Sequence, residues 1–361
     1  MTGNDEQLKA VRSRIDAIDE QIQRLIEERA TCAQRIAELK GGDTAGSFYR
    51  PEREAQVLRN VAARHHGPLP AADVTRIFRE IMSSCLALEQ PMTIAYLGPE
   101  GTYTHQAALK HFGHAVTLAP QSSIDDIFRA VATGRCHYGV APVENSTEGS
   151  VNQTMDNFRV SPLAICGEVV LRIHHQLLSA ATDLKHVRTV YGHPQALAQC
   201  RRWLEANLPG VTQTATPSNA DAVQRATADR TSAAIAGAAA GELYQIPVLA
   251  SNIEDEPDNT TRFWVIGERY PAASGIDKSS LLVVTGNQPG ALHRVLSPFA
   301  QHGISMTRIE SRPSRRGTWD YVFYIDIEGH AQDAKVAAAL SEARQHAGEV
   351  KVLGAYPRAA T

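Results

Sequence analysis

Apolar residues recur at alternating spacings of three and four between Leu8 and Leu39, which is the heptad repeat of a long amphipathic helix. A helix of this length cannot bury its apolar stripe alone, so the repeat predicts a partner helix. The repeat ends at Gly41-Gly42. One heptad position carries Arg29, and a charge there is costly unless an anion pairs with it. The other heptad positions are Leu8, Val11, Ile15, Ile18, Ile22, Leu25, Cys32, Ile36 and Leu39.

Two further helices are predicted after the glycine pair. The run Pro51-Glu52-Arg53-Glu54 has the composition of a first helical turn, with proline at its first position. The third helix covers about Ala72 to Glu89. Its apolar face carries Cys85 and, one turn later, Glu89. A carboxyl on an apolar face tends to keep its proton, so Glu89 is a candidate functional residue.

From Met92 to Arg269, short apolar runs alternate with helical stretches, which is typical of an α/β domain. Polar or glycine-containing segments border several predicted strands, where open α/β sheets bind ligands. The order of elements predicts two lobes joined by two crossings, which resembles the architecture of periplasmic binding proteins with the ligand in the cleft. These segments are Gly98–Thr104, Glu144–Ser150, His193-Pro194-Gln195 and Thr261-Arg262-Phe263.

The last segment follows a linker over residues 270–277 and has the order β-α-β-β-α-β, which predicts a ferredoxin-like fold. We therefore predict three domains, at residues 1–91, 92–269 and 278–357. The elements predicted for the last domain are the strand Ser280–Thr285, the helix Gly290–His302, the strands Ile304–Arg312 and Trp319–Glu328, the helix Ala334–Ala347 and the strand Lys351–Ala355.

The composition is that of an ordinary globular protein, with 43% hydrophobic and 21% charged residues and a formal net charge of −3 over 361 residues. This balance argues against nucleic acid or an anionic membrane as a partner. No apolar run reaches membrane-spanning length, and the polar N-terminus is unlike a signal peptide. Five scattered cysteines are most simply explained as reduced thiols of a cytoplasmic protein. No His/Cys cluster has the spacing of a metal site.

The first segment resembles the all-helical chorismate mutase family, in which three-helix chains form an intertwined dimer. The resemblance implies that chorismate rearranges to prephenate without a nucleophile or cofactor. Arginines would hold the two carboxylates of chorismate in the reactive conformation, and Lys40 would stabilise the charge that grows on its ether oxygen. The implied chorismate-site residues are Arg12 (from the other subunit), Arg29, Lys40, Arg53, Glu54, Cys85 and Glu89.

Two positions depart from the pattern of this family in enteric bacteria. A glutamine there donates a hydrogen bond to the substrate, and Glu89 stands in its place. A carboxylate cannot donate, so Glu89 would act as a catalytic donor only when protonated, and we expect the mutase to be favoured by acid pH. Arg50 replaces an acidic residue, which leaves the contact with the substrate hydroxyl mainly to Glu54. The alternative is a coiled-coil dimerisation arm without catalysis.

The motifs of the middle segment match the prephenate dehydratase family in order. The resemblance implies loss of carbon dioxide and of the ring hydroxyl from prephenate, with Thr261 donating to the departing hydroxyl. Arg262 and the loop of Thr102 would hold carboxylates, and no metal or organic cofactor is required. Glu144 would either tune protonation or be structural. The implied prephenate-site residues are Thr102, Glu144, Asn145, Ser146, Gln195, Thr261, Arg262 and Phe263.

The last segment resembles the ACT regulatory domain through the turn Gly286–Gly290 and the run Glu310–Pro313. The resemblance implies feedback inhibition by phenylalanine, bound at a domain or dimer interface, in a homodimer or possible tetramer. The alternative is a folded dimerisation module without a ligand. The implied phenylalanine-site residues are Gly290, Ala291, Leu292, Glu310, Ser311, Arg312 and Pro313.

Two further interpretations of the whole chain stay open at this point. One is an arogenate dehydratase, which performs the same chemistry on the aminated substrate; the dehydratase motifs do not separate the two, although a fused mutase favours prephenate. The other is a non-catalytic sensor that binds an aromatic acid in its cleft and dimerises through the helical arm. The Thr261-Arg262-Phe263 motif and the cationic residues of the first segment disfavour the sensor.

Overall fold

The structure is a computed structural model that describes residues 2–40, 49–313 and 321–359. The predicted helix break at Gly41-Gly42 and the start of the strand predicted from Trp319 lie outside these residues. The described residues form two compact units. The helical unit contains residues 2–40, 49–50, 56–92 and 112–117, and the sheet unit contains residues 51–55, 93–111, 118–313 and 321–359.

The three helices predicted for the first segment are confirmed. They are α1 Thr2–Lys40, α2 Pro51–Arg64 and α3 Ala71–Glu89. Helix α1 packs against α3, but its heptad side chains are open to solvent in the single chain, with Val11 58%, Leu25 60% and Leu39 72% exposed. An aliphatic stripe of this kind is stable in water only when it is covered. The exposure agrees with the predicted partner helix, which stays a prediction.

The middle segment alternates strands and helices, as predicted. Its strands are β1 Thr93–Leu97, β2 Thr117–Gln121, β3 Tyr138–Asn145, β4 Gly149–Ser150, β5 Ala164–Arg172, β6 Gln176–Ser179, β7 Thr189–Gly192, β8 Thr212–Ala215, β9 Ser232–Ala236, β10 Val248–Ala250 and β11 Thr260–Gly267. Its helices are α4 Tyr103–Phe112, α5 Ile124–Ala132, α6 Asn152–Val160, α7 Pro194–Gln199, α8 Arg201–Asn207, α9 Asn219–Thr227 and α10 Ala238–Leu243.

Two sheets divide this segment into two lobes. The first lobe has the strand order β5-β11-β3-β1-β2, with β4 beside β3, and the second has the order β10-β6-β9-β7-β8. The chain leaves the first lobe after β5 and returns before β11, which are the two predicted crossings. The segment His193-Pro194-Gln195 opens α7, which ends at Gln199 because the backbone of Cys200 leaves the helical conformation at φ −112°.

The order β-α-β-β-α-β is confirmed for the last segment. Its strand order β13-β14-β12-β15 is that of a ferredoxin-like fold. The elements are β12 Asp277–Thr285, α11 Ala291–Gln301, β13 Met306–Pro313, β14 Tyr321–Glu328, α12 Ala334–His346 and β15 Glu349–Pro357.

One feature that the sequence pattern does not predict is that the last segment shares a sheet with the first lobe. Strand β15 pairs in parallel with β5, where Gly354 lies opposite Ile165. The backbones approach so closely that a Cβ atom at position 354 would collide with the carbonyl oxygen of Ile165. Only glycine fits such a contact. The sheet therefore runs without interruption from the strands of the ferredoxin-like segment to the strand that carries Thr261.

Candidate active sites

Thr261 lies near the start of β11, between β3 and β5. The antiparallel register places Thr261 opposite Asn145, the last residue of β3. Two motifs that are far apart in the sequence therefore meet at one strand end. The side chain of Thr261 is only 9% exposed, so its hydroxyl is largely removed from bulk water.

The hydrogen bonds of Asn145 determine whether the Thr261 hydroxyl donates to Asn145 or accepts from it. The Oδ1 atom of Asn145 accepts from the backbone N–H groups of Thr147 and Glu148, at 3.0 and 3.1 Å. Its Nδ2 atom therefore faces the other way, and it donates to Oγ1 of Thr261 at 2.8 Å and to Oδ1 of Asn259 at 2.9 Å. Since the Thr261 oxygen accepts from Asn145, its own proton is available to another acceptor.

Two further amides complete this arrangement. Asn259 donates from Nδ2 to Oε1 of Gln199 at 3.0 Å, and Gln199 donates from Nε2 to Oγ1 of Thr147 at 3.0 Å. Because Gln199 belongs to α7, the hydrogen bonds connect the two lobes. Thr147, Gln199 and Asn259 line a cavity of about 400 Å³, a size that suits a small organic acid, and Thr261 lies behind them through its bond to Asn145. We call Asn145, Gln199, Asn259 and Thr261 the amide cluster.

Gln199 and Asn259 are not among the site residues predicted from the sequence. A signal for each was available in the spacing. Gln199 follows Gln195 by four residues, which is one helical turn, and Asn259 precedes Thr261 by two, the period of a strand. Gln195 itself is exposed at the start of α7, and its backbone N–H donates to Nδ1 of His193 at 3.3 Å.

The other predicted polar residues have local partners in the structure. The Oγ1 atom of Thr102 donates to the carbonyl oxygen of Leu97 at 3.0 Å, which secures the loop before α4. The Oγ atom of Ser146 accepts from the backbone N–H of Thr260 at 2.9 Å. Ser146 therefore holds the beginning of β11 beside the end of β3. Phe263 is 1% exposed and belongs to the core.

Arg262 lies on the opposite face of β11 from the Thr261 hydroxyl, as adjacent strand residues do. Its guanidinium lies 2.7 Å from Asp326 of β14 and 3.4 Å from both Glu144 and Glu168. It also lies 5.7 Å from the ring centre of Trp264, two residues along the strand. A substrate-binding role for Arg262 stays a prediction, and here three protein carboxylates surround its charge.

These ions belong to a larger charged cluster that joins the first lobe to the ferredoxin-like segment. Lys278 of β12 lies 2.8 Å from Glu168, and Arg308 of β13 lies 3.3 Å from Glu144. Burial alone would lower the pKa of Arg262, but Asp326 and Glu168 outweigh it and raise the pKa. We call Glu144, Glu168, Arg262, Lys278, Arg308 and Asp326 the charged cluster.

The residues of the predicted phenylalanine site lie at the start of α11 and at the end of β13. Gly290 directly precedes α11 and has φ +74°, a conformation that favours glycine. Ala291 and Leu292 are the first two residues of α11. Glu310 and Arg312 lie on one face of β13, whereas Ser311 and Pro313 are exposed on the other. Arg312 binds the first lobe, with Asp156 at 3.1 Å and the carbonyl oxygen of Asn152 at 2.7 Å.

In the helical unit, the two predicted catalytic residues are neighbours. Lys40 Nζ lies 3.7 Å from Oε2 of Glu89, and Cys85 is buried one turn before Glu89. Arg29 is partly exposed on α1, eleven residues before Lys40, which is roughly 16 Å along the helix. Arg12 is exposed on the same helix. Arg53 and Glu54 lie in the first turn of α2.

Over residues 2–40, 49–313 and 321–359, no helix is long and apolar enough to cross a membrane. In the same part of the chain, no group of three His, Cys, Asp or Glu side chains is arranged to hold a metal ion.

Three protein families match successive parts of the chain. Chorismate mutase type II matches residues 11–90, prephenate dehydratase matches residues 94–271 and the ACT domain matches residues 279–345. The three matches follow the order of the helical, two-lobed and ferredoxin-like segments.

Similar proteins cover almost the whole chain. A bifunctional chorismate mutase/prephenate dehydratase of Pseudomonas aeruginosa is 52% identical over 361 residues, 99% of each chain. One from Aquifex aeolicus is 45% identical, over 98% of this chain and 99% of the relative. A crystal structure of prephenate dehydratase from Arthrobacter aurescens in complex with L-Phe is 32% identical, covers 74% of this chain and 90% of that one, and has a TM-score of 0.68. The chain belongs to the family of bifunctional chorismate mutase/prephenate dehydratases.

Proposed function

We propose that the dehydratase reaction takes place at the amide cluster, with Thr261 as the donor to the leaving group. Prephenate loses its ring carboxylate as carbon dioxide, the electrons of that bond enter the ring, and the ring hydroxyl leaves. The departing oxygen needs a donor as negative charge grows on it. Arogenate would undergo the same chemistry, and the fused mutase favours prephenate as the substrate.

The observation that carries this proposal is the hydrogen bond from Asn145 to Thr261. A free threonine hydroxyl is a poor acid. Here the Thr261 oxygen accepts a hydrogen bond from an amide whose orientation two backbone N–H groups determine. That bond directs the hydroxyl proton away from Asn145 and offsets negative charge on the threonine oxygen. Asn145 and Thr261 thus form a preorganised neutral donor.

Replacing Thr261 by valine tests the proposal, because valine keeps the shape of threonine and removes the hydroxyl. We expect Thr261→Val to lower kcat for phenylpyruvate formation by about 100-fold or more. Thr261→Ser retains a hydroxyl and should keep much of the rate. Chorismate consumption by the same chain is the internal control for folding and concentration. A Thr261→Val enzyme with wild-type kcat on prephenate would contradict the proposal.

We further propose that chorismate rearranges beside Lys40 and Glu89. The short distance between the ammonium and the carboxyl supports a shared ligand. Lys40 would stabilise the ether oxygen, and a protonated Glu89 would donate to it. The α1 heptad stripe supports a homodimer, in which Arg12 could reach the site of the partner chain; a tetramer is compatible with the same surface.

Feedback inhibition by phenylalanine is the regulatory part of the proposal. The Arthrobacter aurescens relative was crystallised with L-Phe. We place the ligand at Gly290, Ala291 and Leu292 together with the run Glu310–Pro313, and the domain limits at residues 1–91, 92–269 and 278–357. Inhibition requires that phenylalanine bind one arrangement of the enzyme more tightly than another. We propose a cytoplasmic location for this biosynthetic activity.

A further inference from the structure

His175 lies in the crossing between the two lobes, just before β6, and its side chain is almost fully buried at 2% exposure. Its Nδ1 atom is 3.0 Å from the hydroxyl of Tyr103, the first residue of α4 in the first lobe. Its Nε2 atom is 2.9 Å from Oε1 of Gln199 in the second lobe. The imidazole therefore connects the first lobe to the amide cluster.

The partners of Gln199 establish which nitrogen of His175 carries the proton. The Nε2 atom of Gln199 donates to Thr147 and faces the Glu148 carboxylate at 3.5 Å, so its Oε1 atom faces Asn259 and His175. An oxygen only accepts, which requires Nε2 of His175 to donate. Burial lowers the pKa of His175 and so favours the neutral imidazole. The neutral ring then has a lone pair on Nδ1.

Tyr103 is the donor that this lone pair requires. Burial raises the pKa of Tyr103 well above its ordinary value, so the phenol keeps its proton. The hydroxyl faces Nδ1 of His175 at 3.0 Å and the carbonyl oxygen of His174 at 2.9 Å, two acceptors that share its proton. A protonated Nδ1 would instead donate to the Tyr103 oxygen. The carbonyl of His174 lets the Tyr103 hydroxyl accommodate either tautomer, so the oxygen of Gln199 selects the one with the proton on Nε2.

We propose that His175, supported by Tyr103, is a positioning residue for the dehydration step. Its Nε2–H adds a donor to the Gln199 oxygen and so stabilises the orientation in which that oxygen also faces Asn259. If Gln199 were reversed, its NH2 group would oppose the Asn259 NH2 group. If Asn259 also reversed, its NH2 group would face the NH2 group of Asn145. Asn145 cannot turn to match, because backbone N–H groups donate to its oxygen. In a buried network each mismatch leaves a polar group unpaired, so the His175 donor stabilises the one arrangement in which Asn145 donates to both Asn259 and Thr261.

The inference rests on the proposed role of Thr261, and three variants test it. In His175→Gln the amide nitrogen reaches about where Nε2 lies, so the donor to Gln199 is kept. In His175→Asn the shorter amide reaches Tyr103 and leaves Gln199 without its donor. Tyr103→Phe removes the hydroxyl and keeps the ring. We expect kcat on prephenate to fall about 10- to 100-fold in His175→Asn, about threefold in Tyr103→Phe, and less than about threefold in His175→Gln.

The KM for prephenate should change less than about twofold in all three, because His175 acts on the donor and not on substrate binding. Chorismate consumption and the thermal unfolding of each variant control for folding. Rescue by glutamine but not by asparagine supports positioning. Equal losses in both His175 variants, a change confined to KM, or wild-type kcat in His175→Asn would overturn it. If Thr261→Val also kept wild-type kcat, the proposed role of Thr261 would be wrong, and the His175 variants would then not be needed to explain the result.

Discussion

The two faces of β11 differ in the kind of interaction they make. On one face, Thr261 belongs to a cluster of neutral amides whose hydrogen bonds determine the direction of a single proton. On the other face, Arg262 lies among carboxylates that include a residue of the ferredoxin-like segment. Adjacent residues of one short motif thus serve two purposes. The neutral face suits a reaction that needs a directed donor, and the charged face attaches β11 to the ferredoxin-like segment.

The largest effect should follow from removing the cation of the charged face. Arg262→Met leaves Asp326 buried without its cation, whereas Glu168 keeps Lys278, and breaking such a buried pair costs about 3–5 kcal/mol. We expect a clear fall in the temperature at which the sheet unit unfolds, measured by thermal denaturation. Arg262→Lys, which keeps a positive charge, is the matched control. A rise in KM for prephenate without any loss of stability would instead favour Arg262 as a substrate ligand.

The neutral face can be tested by introducing a charge. In Asn145→Asp the side chain can only accept at neutral pH, so Thr261 would donate to it and lose the proton it needs for the leaving group. We expect kcat for the dehydratase to fall about 100-fold while the mutase rate stays unchanged. Steady-state assays of both reactions on one preparation measure this. If kcat changed less than about twofold, the hydrogen-bond direction assigned to Asn145 would be wrong.

Glu89 of the helical unit sharpens the comparison, because there a carboxyl has to act as the donor. The sequence predicts a mutase favoured by acid pH, because a carboxylate at position 89 cannot donate a hydrogen bond. Glu89→Gln donates at every pH, so we expect about tenfold more activity than wild type on the alkaline side and a flatter profile. Chorismate consumption measured between pH 5 and pH 9 checks this, with the dehydratase rate as the control. An unchanged pH profile would exclude Glu89 as the donor.

The smallest effect should come from Asp326→Asn, which keeps the shape of the side chain and removes its charge. The contact between β14 and Arg262 would weaken, and Ser280 could still donate to the side chain. We expect kcat to stay near wild type and the phenylalanine concentration for half inhibition to rise about threefold, because the regulatory segment would bias the catalytic strand less. Unaltered inhibition would show that this contact does not transmit the signal.

The fold was largely predictable from the sequence. The heptad repeat and the β-α-β-β-α-β order are local patterns, and the structure confirms both. The meeting of the Asn145 and Thr261 motifs at one strand end also agrees with a general rule for α/β sheets. Because successive side chains of a strand point to opposite faces of the sheet, the sequence was sufficient to predict that Thr261 and Arg262 lie on opposite faces of β11.

The charged cluster was not predictable in the same way. Its members come from strands that are distant in the chain, and single charged residues such as Glu168 and Asp326 carry no pattern that reveals their partners. Gln199 and Asn259 were missed for a related reason, since an isolated amide in a polar stretch resembles any surface residue. Which groups pair across strands depends on the sheet order, and the order depends on contacts such as that at Gly354.

The pairing of β15 with β5 has a consequence for how the chain could be divided. Without the ferredoxin-like segment, β5 would be the last strand of the first-lobe sheet, and its residues from Ala164 to Val169 are all buried in the full chain. An uncovered, apolar strand edge pairs readily with other chains. A protein cut within residues 270–277 would therefore be prone to aggregate. We therefore expect the ferredoxin-like segment to protect the first lobe against self-association, because β15 covers this strand edge.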